Sequence, residues 1–164
     1  MTPLDDFLSH LGPLRWDDLV VGYDFGLLTS LEIQAVAPSS GPASECLRAL
    51  EGADLLAFEV HLWAACAEAT GKTPRPGAVR WSEAQDRWRE ALLRGALAQE
   101  TTLAGLAETV ERIFDQTGCP DDMLLMFHPA ERWSGARAMV EPAAVQRFLD
   151  HRVRVRGVEF GAVS

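Results

Sequence analysis

Lysine is nearly missing from this chain of 164 residues: fourteen of its fifteen basic residues are arginine, and only Lys72 is lysine. That bias fits a GC-rich bacterial coding sequence and carries no mechanism. Long apolar runs are missing too, since no stretch approaches the ~20 residues that cross a bilayer, and Asp5 and Asp6 stand where a signal peptide would be basic. A membrane segment and a secretory leader are therefore not expected, and a cytoplasmic protein is. Cysteine is sparse and odd in number: Cys46, Cys66 and Cys119 lack close spacing, which suits reduced, buried thiols better than a disulfide framework.

Further absences narrow the chemistry. His10, His61, His128 and His151 never stand three or four residues apart, and neither Glu-x-x-His nor Cys-x-x-Cys occurs, so no metal site is expected. No Gly-x-Ser-x-Gly elbow is present, and no serine, histidine and acid follow a recognisable triad order. No catalytic residue and no cofactor are assigned. Gly71-Lys72-Thr73 looks like the end of a phosphate loop, but the glycine needed five positions before Gly71 is Cys66. The triplet reads instead as a helix end. Arg152, Arg154 and Arg156 are too few on so acidic a chain to argue for nucleic acid.

What is present is a lopsided charge. Residues 1–71 hold eleven Asp and Glu against Arg15 and Arg48, so the whole net charge of −9 sits there, while thirteen residues of each sign balance in residues 72–164. Charge of this kind governs which partners approach and says little about fold. It points to a basic partner.

With 48% apolar and 24% charged residues, the chain has the composition of one ordinary globular domain. Helix punctuation recurs. Thr2, Pro3, Asp5 and Asp6 open a first helix that Gly12 and Pro13 stop, and Trp16 to Gly22 forms a second with Asp17 and Asp18 near its start. Thr29-Ser30-Leu31-Glu32 is a capping box, as is Ser82-Glu83-Ala84-Gln85. Leu103, Leu106, Val110, Ile113 and Phe114 mark an amphipathic helix ending at Gly118; Pro120 and Pro142 start two more. Residues 153–156 alternate as an edge strand does. The five tryptophans are expected mainly in the core. The fold class is thus all-α, a single-domain bundle of eight or nine helices with a short C-terminal strand and a candidate hinge at 72–80.

Residues 43–70 read as one helix interrupted at Gly52, or as two, ending at Gly71. The second part is apolar on most sides through Leu55, Leu56, Phe58, Val60, Leu62 and Trp63, with Asp54, His61 and Glu68 at seven-residue intervals along one line. Seven residues span roughly 10 Å of helix, too far for direct contact. This predicts a nearly buried helix with one narrow wet stripe.

Two stretches together, Arg15-Trp16 through Tyr23 to Leu28-Thr29-Ser30, and Trp88 through Leu92, Val110-Glu111, Ile113-Phe114 and Gly118-Cys119-Pro120 to Pro129, resemble a bacterial family catalogued as domain of unknown function 2247. The resemblance spans most of the chain and implies a small bacterial domain. It supplies no catalytic residue, and Phe114 to Cys119 depart from the family's tyrosine and aspartate before its turn.

Asp5, Asp6, Asp17, Asp18 and Glu32 are explained by helix starts, where the dipole favours acids. The acids left for a binding patch are Asp24, Glu45, Glu51, Asp54, Glu59 and Glu68; the patch is placed chiefly on the helices of residues 43–70, on Glu45, Glu51, Asp54, Glu59 and Glu68, with His61 on the stripe of Asp54 and Glu68. The expected function is a non-enzymatic binding protein of the immunity or antitoxin type, holding a basic protein partner on this acidic surface. Two alternatives stand beside it: a small-molecule-binding or enzymatic domain with a pocket between helices near His61, Trp63 and Trp88, and a structural subunit of a larger assembly.

Overall fold

The computed structural model describes residues 2–50, 52, 55–127 and 140–161, the last nine of these by their backbone alone. The chain is all-α. Its described residues form eight α-helices and one 3-10 helix: α1 (Pro3–Leu11), α2 (Trp16–Asp24), α3 (Ser30–Val36), α4 (Pro42–Ala49), α5 (Leu55–Thr70), α6 (Val79–Gln99), α7 (Leu103–Gln116), η1 (Asp121–Met126) and α8 (Pro142–Gly161). They divide into two compact units, Met1–Ala91 and Leu92–Ser164, with the boundary inside α6. Residues 72–80 lie within the first unit, as the loop after α5 and the start of α6.

Local chemistry sets most helix starts. The Thr2 hydroxyl accepts from Asp5 N at 3.2 Å while the Asp5 carboxylate accepts from Thr2 N at 2.8 Å. Thr29 and Glu32 repeat this reciprocal arrangement at the start of α3, so each box satisfies amides that the helix itself leaves bare. At α4 the Ser44 hydroxyl accepts from Ser40 N and Gly41 N and donates to Gly41 O.

The first unit packs around Trp88, which is fully buried. Its indole Nε1 donates to Asp18 O at 2.8 Å, and its ring centroid lies 4.5 Å from that of Phe7. Helix α2 approaches this ring through Gly22, where a Cβ would stand 2.6 Å from the Trp88 Cζ2; only glycine leaves room. Leu19, Val20, Val21, Ile33, Leu47 and Leu62 complete the interior. In the second unit, α7 buries Leu106, Val110 and Ile113, η1 buries Met123 and Met126, and α8 buries Val145 and Leu149. Arg152 on α8 pairs with Asp122 on η1.

Three expectations are corrected. Helix α6 starts at Val79 rather than at Ser82: Gly77, at φ +81°, turns the chain, and Ser82 N already donates to Ala78 O at 3.0 Å. Residues 153–156 continue helix α8 instead of forming a strand. An isolated strand leaves its backbone groups without partners, no other strand is found among the described residues, and a helix closes those bonds within itself. Of the three cysteines only Cys66 is buried; Cys46 and Cys119 are exposed. Trp16, Trp81 and Trp88 are core residues, Trp63 is half-buried, and Trp133 lies outside the described residues.

Candidate functional site

Helix α5 is apolar on two faces. One is covered: Phe58, Leu62, Ala65 and Cys66 are buried where α5 packs on α2 and α4, and Phe58 lies against Tyr23 with ring centroids 5.3 Å apart. The other is not. Leu56, Val60, Trp63 and Ala67 follow the i, i+4, i+7, i+11 spacing that lines up side chains on one side of a helix. Leu56 is 72% exposed and Val60 61%, with Leu55 at the helix start 75% exposed. Trp63 and Ala67 are half-covered, and Ala64 beside them is exposed.

The narrow-wet-stripe expectation for α5 is therefore corrected. Its sequence is apolar enough for burial on all sides, but the first unit covers only the side facing α2 and α4. Other large apolar residues in water, such as Leu31, Leu103 and Leu125, stand singly, which is ordinary for a folded protein. Leu56 and Val60, one turn apart on the same side of α5, instead form a patch.

Of the six residues expected at the site, four lie among the described residues, and of these only Glu59 adjoins the patch. At 100° per residue, Glu59 borders the apolar stripe on one side, while on the other His61 and Glu68 lie beyond Ala57 and Ala64, toward the side that packs on α4. Glu59 is exposed and His61 half-buried. Burial first, and the negative charge of Glu59 second, push the Tyr23 phenol up. Glu45 is exposed on α4, the helix packed against α5. Glu51 and Asp54 lie outside the described residues.

Glu68 has a second task. Its Oε2 accepts from Ala43 N at 2.7 Å, so a side chain near the end of α5 caps the first turn of α4 from 25 residues away. The fit is close at Gly41, φ +151°, where a Cβ would come within 2.7 Å of Glu68 Oε1.

Two polar clusters, one buried and one half-buried, support the unit. Asp18 has no exposed surface; its carboxylate accepts from Arg15 N at 2.8 Å and from Arg87 Nε at 3.1 and 3.2 Å. Burial raises the Asp18 carboxyl above the usual range even so, with the Arg15 amide and Arg87 opposing it. Nearby, Arg80 forks onto both oxygens of Asp17, and donates to Lys72 O and to Thr70 Oγ1, each at 2.8 Å. The Cys66 thiol lies 3.7 Å from Asp17 Oδ1, and burial pushes it up to about 11. Such a thiol stays protonated and unreactive at neutral pH.

Two surface cavities are also present. One, of about 1040 Å³, runs along the polar side of α7 between Glu108, Arg112 and Asp115. The other, of about 460 Å³, lies at the loop before α6 between Lys72, Arg75 and Arg80. Neither is lined by His61, Trp63 or Trp88. Among the described residues no group of three or more His, Cys, Asp and Glu is arranged to hold a metal ion, and no helix is long and apolar enough to cross a membrane. Comparison with protein-family models, with curated proteins and with solved structures finds no match to the chain.

Proposed function

We propose that this chain is a non-enzymatic protein-binding domain of the immunity or antitoxin type, and that the outer face of α5 receives a basic protein partner. The observation that carries this reading is the stripe of Leu56, Val60, Trp63 and Ala67, whose first two side chains stand largely in water, with Glu59 at its edge and His61 and Glu68 further round the helix. An apolar centre inside a charged rim is the common anatomy of a protein interface.

The two parts of the face have different tasks. Covering Leu55, Leu56 and Val60 contributes about 1.5–3 kcal/mol for each side chain fully removed from water. The acidic rim, within a first unit holding fourteen Asp and Glu against seven Arg and Lys, speeds encounter with a basic surface and disfavours acidic ones. The fitting occupant is a basic protein that presents an apolar segment flanked by Arg or Lys.

The test is affinity capture from the native host at low salt, using the wild-type chain beside a variant carrying Leu56→Asp and Val60→Asp. A basic protein retained by the wild type, lost with the variant and released by salt is the expected result, together with a toxin gene next to this one. Identical captures by both proteins overturn the reading.

A further inference from the structure

The cavity at the loop between α5 and α6 has the opposite electrostatic character to the unit around it. Lys72, Arg75 and Arg80 line its charged side, Pro74, Ala78 and Val79 its apolar side, and no carboxylate belongs to the lining. Three of the seven positive side chains of residues 1–91 gather in this one place.

The three cations are not equivalent. Arg80 is matched by the Asp17 carboxylate, and its remaining donors hold the loop through Lys72 O and Thr70 Oγ1. Its task is to fix the wall. Lys72 and Arg75 are exposed and make no ion pair among the described residues. Their loop is constrained: Gly71 and Gly77, both at φ +81°, turn it at either end, Pro74 is buried, and Ala78 N donates to Arg75 O at 2.9 Å. The pinned backbone holds these two unmatched cations on one short loop, so a ligand that meets both has only their side chains left to order.

We propose that this cavity binds a small phosphomonoester with an apolar body. A phosphate accepts from the Lys72 ammonium and the Arg75 guanidinium together, and the half-buried Thr73 beside them supplies a hydroxyl donor. The body of the ligand lies on Pro74, Ala78 and the exposed Val79, and about 460 Å³ is within the size range of small-molecule sites. The mode of binding is not that of a phosphate loop. Gly71 N donates to Ala67 O at 2.8 Å and ends α5, so the glycine serves as a helix cap while side chains hold the anion. This inference is independent of the docking face on α5.

The experiment is a titration of the full chain with phenyl phosphate, and separately with inorganic phosphate, followed by backbone amide NMR at fixed ionic strength. Saturable shifts at residues 72–79 are expected, with phenyl phosphate binding more tightly than inorganic phosphate. Replacing Lys72 and Arg75 together by Ala weakens both by roughly tenfold or more at an unchanged melting temperature, while Leu56→Asp leaves them unaltered. Shifts that do not saturate, that scatter over arginines throughout the chain, or that persist in the double variant overturn the proposal. Equal affinity for the two ligands overturns the part assigned to the apolar wall.

Discussion

Trp88 and Leu56 are large apolar side chains in helices of the same unit, and they meet opposite fates. Trp88 has no exposed surface, with its indole nitrogen satisfied by Asp18 O, Phe7 against its ring and Gly22 cut back to admit it. Leu56 stands 72% in water, with Val60 one turn on in much the same state. Side-chain chemistry does not separate the two. What differs is whether the surrounding chain supplies a matching surface. Around Trp88, Phe7, Gly22 and the Asp18 carbonyl fit the ring. Over Leu56 and Val60 on the outer face of α5, no neighbour among the described residues of the first unit plays that part.

Four perturbations bear on this contrast, in descending order of effect. Trp88→Ala removes the centre of the packed region, and its cost in a urea denaturation series is expected at about 3–5 kcal/mol. A cost below about 1 kcal/mol would mean the region around α6 is not the core. The buried side of α5 is tested next by Cys66: with its thiol held up to about 11, its alkylation at pH 8 is expected to run about a hundredfold slower in the folded chain than in the urea-unfolded chain. The same shift fixes a sign. An unfolded chain ionises this thiol near 9 while the folded chain keeps the proton to about 11, so stability falls as pH rises through that window. Fast labelling, or stability flat between pH 8.5 and 11 after allowance for other groups, contradicts the burial.

Gly22→Ala is the third, since its Cβ would press within 2.6 Å of the Trp88 ring. Overpacking of this kind costs about 1–3 kcal/mol, and thermal melts should show the loss. The smallest effect is expected on the open side: Leu56→Ser and Val60→Ser should each change stability by no more than about 0.5 kcal/mol. A loss comparable to that of Trp88→Ala would place these side chains in a core and remove the docking face.

The legibility of these features from sequence follows how local their causes are. The starts of α1 and α3 were readable because Thr2 with Asp5, and Thr29 with Glu32, act across three residues. Helix α7 was readable because its polar and apolar faces alternate cleanly. Helix α5 carries apolar residues on both sides, so periodicity marks a helix but not which side is covered; that depends on α2 and α4, which both pack on α5. The cap that Glu68 places on α4 spans 25 residues, and local pattern reports nothing at that distance. The acids around α5 are therefore legible as a charged surface, whereas the apolar stripe reads from sequence as interior.

The central claim, that the outer face of α5 receives the partner, is tested most directly by hydrogen–deuterium exchange with and without the captured basic protein. Residues 55–67 are expected to slow on binding, with the polar side of α7 unchanged. Protection confined to α7 or to the loop at 72–78, with α5 exchanging as it does alone, would contradict the account.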